Sequence, residues 1–348
     1  DVAPSRGLGD VYKRQIMKCY ICLTDSIVNR KDYFNMLKVT LISARKNTSL
    51  RLICLYDGKI GDPVYNLLKD FKVEIIIHEL PYKKELMEIY SHEWMETELG
   101  KDIEYSRIFG TFMRMEIPII EKEDEYVLYT DMDIIFNDDI LLKDLPHPAY
   151  LAAAPEFERD TKRMSYFNAG ILVMNIQGMR IKYQQFVEMM KKRQRSTSGL
   201  FDQGYLNELC FKDMEILPIE YNWKPYWGIN GNAKLIHFHG MKPCSNLEEA
   251  GFDTRESFFR TIFDNNSQGY AGYIYYFILF FNYLGQKQDQ WLCYHLQYIL
   301  DLYKKPLIAL AQKTDYKPKY RKYKRLYSIF VSISILLAIL LLTALFLV

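Results

Sequence analysis

The acidic residues of greatest chemical interest lie in residues 126 to 139, where an apolar run ends in an Asp-Met-Asp triplet. This β-branched and aromatic run predicts a buried strand that delivers Asp131 and Asp133 at its carboxyl end. Side chains two residues apart leave a strand on the same side, so we expect the carboxylates to point together. At a separation of about 5 Å, the two carboxylates repel by roughly 3 kcal/mol at an effective dielectric of about 20. A cation between them is predicted, and such oxygen ligands suit Mn²⁺ or Mg²⁺. The alternative is an Asp-rich turn.

Other polar side chains follow predicted strands or lie in predicted helices. A helix over residues 105 to 120 carries Arg114, which is either a surface arginine or a ligand for phosphate or sugar oxygens. A late strand over residues 233 to 238 ends in a segment with His237, Gly240 and Lys242, which together suit a metal and diphosphate site. Asp202 begins a further helix, and a capping role explains it without catalysis.

The composition is that of an ordinary globular protein. The chain has 348 residues, with 49% hydrophobic and 25% charged residues and a net charge of +2. This length suffices for one large domain or two smaller ones. The charge balance gives no indication of a nucleic-acid partner.

Six cysteines show no repeated metal-binding spacing. Cys19 and Cys22 form a CxxC motif, but they lie in a predicted strand, where residues three apart point to opposite faces. A redox CxxC motif needs a helix amino terminus. We therefore predict buried thiols and, more weakly, a reducing compartment.

From Met17 onward, strand and helix patterns alternate. Such βαβ units predict an α/β sheet, mostly parallel and covered on both faces, with ligands at the carboxyl ends of its strands. No Gly-x-Gly-x-x-Gly motif follows the first strand, which argues against a dinucleotide site. A charged stretch over residues 156 to 163 is interpreted as a loop over the site. The predicted strands cover residues 19–23, 50–56, 73–78, 149–154, 171–175 and 233–238, and the predicted helices cover 33–47, 105–120 and 177–195.

The two ends of the chain differ from its middle. Residues 1 to 16 lack a hydrophobic period and are interpreted as a non-native or disordered leader. Residues 17 to 264 form the predicted catalytic domain, and residues 265 to 325 an aromatic and basic helical region beside a membrane. An aromatic helix packed on the catalytic domain is the alternative for residues 265 to 288.

Residues 326 to 348 contain no charge across 23 positions. As a helix they span about 34 Å, enough for a hydrocarbon core of about 30 Å, so we predict a transmembrane helix. Six Lys and Arg residues lie between positions 317 and 325. The positive-inside rule then predicts a membrane-anchored protein with its catalytic domain on the cytoplasmic side.

Five spaced elements of the chain resemble the retaining glycosyltransferases of family 8, which include lipopolysaccharide galactosyl- and glucosyltransferases and glycogenin. The resemblance covers roughly residues 17 to 244. It implies a GT-A type fold, in which a nucleotide-binding α/β sheet merges with an acceptor-binding half. The elements are Thr24-Asp25, residues 112 to 115, residues 129 to 133, residues 167 to 175 with Asp202-Gln203, and residues 237 to 243.

The resemblance also implies roles for single residues around a metal and a diphosphate. Asp131 and Asp133 match the aspartates that hold Mn²⁺, with Mg²⁺ as the alternative, and His237 matches the third protein ligand. Lys242 and Gly240 match groups around the diphosphate of a UDP-sugar donor.

The remaining matches surround the nucleoside and the sugar. Thr24 and Asp25 fall where the uracil is held, and Arg114 matches a donor-binding arginine. Gln203, closest to the reacting carbon, and its neighbour Asp202 are the implied catalytic residues. The donor sugar is surrounded by matches at Asn168, Ala169, Asp202 and Gln203.

The chain departs from the family pattern at a few positions. Gly204 replaces the usual third acidic residue after the Asp-Gln pair, and Cys244 replaces a tryptophan after Lys-Pro. Lys242 also lies one residue earlier than in some members. These changes affect the expected sugar specificity and acceptor contacts more than the metal site.

The favoured function is hexose transfer from a UDP-sugar to a glycan or lipid-linked acceptor, with retention through departure and attack on one face. No second carboxylate stands out in the sequence as a nucleophile for double displacement.

A phosphatase of the haloacid dehalogenase type also uses Asp-x-Asp, but it needs a Gly-Thr-like pair directly after the second Asp, where this chain has Ile134-Ile135. The other alternative is a non-catalytic, membrane-tethered protein that binds sugar nucleotides or glycans.

Overall fold

The computed structural model describes residues 16–100, 103–243 and 267–285. Its strands are β1 Lys18–Thr24, β2 Arg51–Asp57, β3 Glu74–Ile77, β4 Tyr126–Thr130, β5 Ile134–Phe136, β6 Leu151–Pro155, β7 Phe167–Asn175, β8 Glu215–Ile216 and β9 Leu235–His237. Its α-helices are α1 Lys31–Asn47, α2 Pro63–Asp70, α3 Lys83–Ile89, α4 His92–Leu99, α5 Tyr105–Phe112, α6 Ile117–Ile120, α7 Ile176–Lys191, α8 Phe201–Cys210 and α9 Ser267–Tyr283. Short 3₁₀ helices cover Asp25–Asn29, Met113–Glu116, Leu142–Asp144, Thr161–Arg163, Ile219–Asn222 and Pro225–Trp227.

The main sheet has the strand order β3-β2-β1-β4-β7-β6-β8. Strands β1 to β4 pair in parallel, as the alternating pattern predicts, and β6 pairs in parallel with β8. Strand β7 is the exception, because it runs antiparallel to both β4 and β6. The predicted mostly parallel α/β sheet is therefore confirmed, with one reversed strand, β7, between β4 and β6.

A second, two-stranded sheet pairs β5 with β9 in antiparallel fashion. The apolar run around residues 126 to 136 is thus divided between two sheets, since β4 ends at Thr130 and β5 begins at Ile134. In the register of the second sheet, Ile134 lies opposite His237. The Asp-Met-Asp triplet therefore connects the two sheets and lies beside the end of β9.

The helix predicted over residues 105 to 120 is broken into α5, a 3₁₀ turn and α6. Pro118 lies in the first turn of α6, the position where a helix tolerates its missing N–H. The tighter 3₁₀ turn carries Arg114, which is buried. The interruption thus directs Arg114 into the protein.

The main sheet is covered on both faces, as alternation of side chains along its strands requires. On one face, Tyr20 of β1 belongs to a cluster with Phe112 and Phe186. On the other face, Ile21 belongs to a cluster with Leu37 of α1. Cys19, predicted to be a buried thiol, is fully buried, while Cys22 is partly buried.

Helix α9 packs on the catalytic domain, the alternative considered for this aromatic segment. Its Gly272 approaches the chain so closely that an added Cβ would lie 2.1 Å from the Pro225 carbonyl oxygen. Tyr273 donates a hydrogen bond of 3.1 Å to the His239 carbonyl, and Phe277 packs on Phe238. The helix thus supports the segment that follows β9.

Every helix in the described ranges is too short or too polar to span a bilayer. The predicted transmembrane helix, residues 326 to 348, lies outside the described residues, as does the predicted leader except for Ile16. The same holds for residues 286 to 325 of the predicted membrane-proximal region.

Candidate active site

Three side chains with metal-binding atoms converge where the two sheets meet. Asp131 and Asp133 lie in the connection between Thr130 of β4 and Ile134 of β5, and His237 ends β9. One ligand atom from each of the three lies within 4.8 Å of the other two. Asp133 and His237 are buried, while the side chain of Asp131 is 28% exposed. The predicted convergence of the two carboxylates is confirmed, although a turn between strands produces it.

The polar atoms of this cluster suit a divalent cation such as Mn²⁺ or Mg²⁺. Oδ1 of Asp133 is buried and has no hydrogen-bond partner. The Nδ1 atom of His237 donates to Oδ1 of Asn222 over 3.0 Å, which leaves Nε2 facing the carboxylates. Burial lowers the pKa of His237 well below its ordinary value, so its imidazole is neutral. Gly170 leaves the space open, because a Cβ there would lie 2.3 Å from Cε1 of His237 and 2.9 Å from Oδ2 of Asp131.

Lys242 reaches the same cluster from the segment after β9. Its ammonium pairs with Oδ2 of Asp133 and donates to the Phe238 carbonyl over 2.8 Å. Burial alone would raise the pKa of Asp133, but the Lys242 ammonium holds it below its ordinary value. Gly240 has a φ of 89°, a left-handed conformation that favours glycine.

Arg114 is a buried bridge between two carboxylates. Its Nη2 lies 3.0 Å from Oδ1 of Asp131 and its Nε lies 2.9 Å from Oδ2 of Asp202. Nη1 donates to the Ala169 carbonyl, and the guanidinium lies 4.5 Å from the ring centroid of Tyr129. The surface alternative for Arg114 is therefore wrong, and the side chain fixes the two carboxylates relative to each other.

Asp202 does not occupy the capping position predicted for it. Helix α8 begins one residue earlier, at Phe201, with Leu200 at the cap position. The side chain of Asp202 is 5% exposed and faces Arg114. Phe201 has a φ of 49°, an uncommon conformation for a bulky residue, directly before the Asp-Gln pair.

Gln203 has an amide that protein groups hold on both sides. Its Oε1 accepts hydrogen bonds from the Ala169 N–H over 2.7 Å and from Nδ2 of Asn168 over 3.3 Å. Its Nε2 donates to Oε2 of Glu156 over 2.9 Å. The structure thus brings together Asn168, Ala169 and Gln203, as the family resemblance implies.

A cleft of about 330 Å³ connects the metal cluster to the end of β1. The Thr24 hydroxyl lies in this cleft, 2.8 Å from the Ser26 hydroxyl and 3.1 Å from the Ser106 carbonyl. Asp25 instead lines an adjoining depression of about 450 Å³. Predicted donor-binding residues that line the cleft are Thr24, Arg114, Asp131 and Lys242.

The family model for Glycosyl transferase family 8 matches residues 26–247, more than half of the chain. The chain belongs to glycosyl transferase family 8. The family and the enzyme class predicted from the sequence are therefore confirmed at the level of the family.

Family 8 relatives of this chain include glucoside xylosyltransferase 1 from human, 30% identical over 172 residues, and from chicken, 22% identical over 267 residues. These alignments cover 40% and 67% of this chain, but only 36% and 59% of the relatives' own length. A solved structure of the galactosyltransferase LgtC with donor and acceptor sugar analogues is 18% identical, with a TM-score of 0.44. That likeness covers 71% of this chain and all of the other chain.

The structure adds site residues to this family 8 chain that the sequence analysis did not identify as candidates. Glu156 was interpreted only as part of a loop, yet it follows the buried strand β6 just as Asp131 follows β4, so the same strand-end pattern was available. Asn222 and Lys224 follow no predicted strand end. His239 lies two residues after His237, in a segment where only other residues were identified as candidates. The added residues are Glu156, Asn222, Lys224 and His239.

The departure at Gly204 from the family 8 pattern has a steric explanation. A Cβ on Gly204 would lie 2.3 Å from the carbonyl oxygen of Gly199, a backbone atom that cannot move independently. An acidic side chain does not fit while the chain passes this close. Cys244, the other substituted position, lies outside the described residues.

Gly204→Ala is expected to lower the free energy of unfolding by about 1–3 kcal/mol through overpacking, although alanine is the better helix former. Urea denaturation at equilibrium measures the difference. Gly231→Ala is the control, since a Cβ there meets nothing within 4 Å. Equal stability of the Gly204 variant and wild type would contradict the close approach.

Proposed function

We propose that this family 8 chain is a retaining glycosyltransferase with Mn²⁺ as its metal. It moves a hexose of the glucose or galactose class from a UDP-sugar to a glycan or lipid-linked acceptor. The observation that carries the proposal is the cluster of Asp131, Asp133 and His237, whose two aspartates line one cleft together with Lys242. Through Arg114, the cluster is joined to Asp202, the neighbour of Gln203. A metal-diphosphate site beside a sugar site is what transfer from a nucleotide sugar needs.

The three cluster residues would hold the ion through two carboxylates and the Nε2 atom of His237. When bound, a divalent ion supplies positive charge that offsets the charge developing on the departing diphosphate. Lys242 adds a second positive charge at this site. Its side chain lines the cleft and is 29% exposed.

Transfer with retention is proposed to occur on one face of the sugar. The bond from the anomeric carbon to the diphosphate oxygen breaks, the acceptor oxygen attacks from the same face, and its proton passes to the departing phosphate. Gln203 is positioned to stabilise the cationic sugar, because the Ala169 N–H and Glu156 fix both ends of its amide.

Two carboxylates near Gln203 bear on this mechanism. Asp202 is buried against Arg114. Glu156, which was not recognised in the sequence as a possible nucleophile, is 6% exposed. Its Oε2 accepts from Asn168 and Gln203, and its Oε1 lies 2.9 Å from Nε2 of His239. Both carboxylates are thus engaged, which favours the single-face route. Intact-mass detection of a sugar bound covalently to either would overturn it.

The proposed function predicts that wild type hydrolyses at least one UDP-sugar in a Mn²⁺-dependent manner. A panel of UDP-glucose, UDP-galactose and UDP-xylose is assayed with Mn²⁺ and with EDTA. Asp131→Ala is expected to lose on the order of 100-fold or more of the activity, because it removes a metal ligand. Asp70→Ala, at an exposed aspartate of α2, is the control. No turnover with any donor would refute the enzyme proposal, and Mn²⁺-dependent UDP binding without turnover would favour the sugar-nucleotide-binding alternative.

We further propose that residues 326 to 348 anchor the protein in a membrane, with the catalytic domain on the cytoplasmic side. The support is the uncharged run of 23 residues and the basic cluster before it. Tethering raises the effective concentration of a lipid-linked acceptor. Carbonate extraction of membranes from cells that express the full chain or a chain ending at residue 325 tests this. Release of the full chain would contradict it.

A further inference from the structure

Lys224 is a fully buried lysine beside the candidate active site. Its Nζ donates hydrogen bonds to the Pro155 carbonyl over 2.8 Å and to the Asn222 carbonyl over 3.3 Å. The ammonium also lies 4.4 Å from the ring centroid of Trp227. Burial of an ammonium group is costly unless its partners are well placed, so this arrangement needs an explanation beyond packing.

The first carbonyl belongs to the sugar side of the site. Pro155 ends β6 and directly precedes Glu156. The carboxylate of Glu156 accepts hydrogen bonds from Nε2 of Gln203 over 2.9 Å and from Nδ2 of Asn168 over 3.0 Å. A shift of the Pro155 carbonyl would therefore move the carboxylate that orients Gln203.

The second carbonyl belongs to the metal side of the site. Asn222 is fully buried, and its Oδ1 accepts the hydrogen bond from Nδ1 of His237 over 3.0 Å. Its Nδ2 donates to Oδ1 of Asn168 over 3.0 Å. Asn222 therefore fixes the orientation of His237, and with it the direction of the Nε2 atom that faces the carboxylates.

We propose that Lys224 is a positioning residue that holds the sugar side and the metal side of the site in register. It acts on Gln203 through Glu156 and on His237 through Asn222. The inference rests on the proposed function, since it names a residue that this transfer requires. Lys224 itself touches neither of the proposed substrates.

The charge of Lys224 is not required for its two hydrogen bonds. Burial lowers the pKa of Lys224 to about 7, against the opposing effect of Glu156. A neutral amine keeps two N–H donors, which match the two carbonyl acceptors. The positioning contacts therefore persist whether or not the amine is protonated.

Lys224→Met tests the proposal, because methionine fills the space of the stem without a donor. At saturating donor and Mn²⁺, kcat is expected to fall by about 10–100-fold, the usual effect of losing a partner of a metal-site residue. Titration of Mn²⁺ alone, followed by the electron paramagnetic resonance signal of free Mn²⁺, is expected to show about 10-fold weaker binding.

Lys182→Met is the matched control. Lys182 is also buried, pairs with Asp213 and lies over the ring of Tyr150, away from the site. It is expected to lower the melting temperature like the Lys224 variant, but to leave kcat and Mn²⁺ binding of the folded protein unchanged. Equal kcat and equal Mn²⁺ affinity in Lys224→Met and wild type would overturn the proposal.

A double variant separates positioning from a general loss of structure. If Lys224 acts on Gln203 through Glu156, Lys224→Met combined with Glu156→Gln lowers kcat less than the product of the single effects. Fully multiplicative losses would overturn the route through Glu156. If Lys224→Met does not fold, Lys224→Gln and Lys182→Gln serve as the pair.

The metal titration distinguishes failure of this inference from failure of the proposed function. Wild type that binds Mn²⁺ but turns over no UDP-sugar refutes the function, while the Lys224 variant still tests the positioning of His237 by its Mn²⁺ affinity. Wild type that binds no Mn²⁺ overturns the inference as well, because the metal side would then have no ion to hold.

Discussion

Asp133→Asn is expected to reduce transferase activity on the order of 1000-fold, equivalent to about 4 kcal/mol of transition-state stabilisation. Oδ1 of Asp133 is the buried oxygen of the cluster that lacks a hydrogen-bond partner, so it is the atom most available to an ion. An amide at this position keeps the shape but carries no charge. Mn²⁺ affinity, measured by titration of the protein without donor, is expected to fall at least ~100-fold.

The fold is expected to tolerate this change. Asn relieves the cost of a buried carboxylate while it removes the ion pair with Lys242, and these effects oppose each other. Asp138→Asn is the matched control, since Asp138 also pairs with a lysine, Lys234, but its side chain is 58% exposed. Surface pairs of this kind contribute about 0–1 kcal/mol. Retention of Mn²⁺-dependent activity by Asp133→Asn would show that the ion does not lie at this cluster.

The local features of the site were predictable from sequence. Strand β4, followed by Asp131 and Asp133, has the apolar, β-branched and aromatic pattern of a buried strand, and carboxyl ends of parallel strands are where ligands bind. The cap of α2 is another local feature, because Asp62 directly precedes Pro63 and accepts a hydrogen bond from the Tyr65 N–H over 2.7 Å. Such features depend on neighbours within a few residues.

The long-range features were not predictable in this way. The pairing of Ile134 with His237 joins residues about a hundred positions apart, and no local pattern records it. The reversal of β7 depends on how the chain returns from β6, which hydrophobic alternation does not encode. Asn222 and Lys224 act through carbonyl and amide contacts, and single polar residues in irregular segments give no periodic signal.

The role of Arg114 could not be determined from its position in the sequence. Its place in the predicted helix before the Asp131 strand is compatible with a surface arginine and with a ligand for phosphate or sugar oxygens. The structure buries it, and its guanidinium contacts Asp131, Asp202 and two backbone carbonyls, those of Ala169 and Thr111. Substitution of Arg114 is therefore expected to lower the stability of the folded state as well as donor binding.

Arg114→Met is expected to lower the free energy of unfolding by about 3–5 kcal/mol, because it leaves the buried carboxylate of Asp202 and the partly buried carboxylate of Asp131 without their counter-charge. Urea denaturation in EDTA, near neutral pH, measures the loss. Arg180→Met is the control, since Arg180 donates to the Pro118 and Glu121 carbonyls and is expected to cost about 1–2 kcal/mol.

The loss of unfolding free energy in Arg114→Met is expected to depend on pH, because Asp131 and Asp202 titrate. Burial raises the pKa of Asp131 to about 6 and raises that of Asp202, even with Arg114 opposing the shift. A carboxyl whose folded pKa is raised costs stability as pH rises through its unfolded value, and the cost is complete above its folded pKa. Without Arg114 both folded pKa values rise further. The extra loss of the variant relative to wild type therefore develops, for Asp131, as pH rises above about 6 and is complete above the variant's own higher folded pKa, while below the wild-type folded pKa the charge-dependent loss is small. A loss of the same size at pH 5 and pH 8 would show that missing packing, not unpaired charge, destabilises the variant.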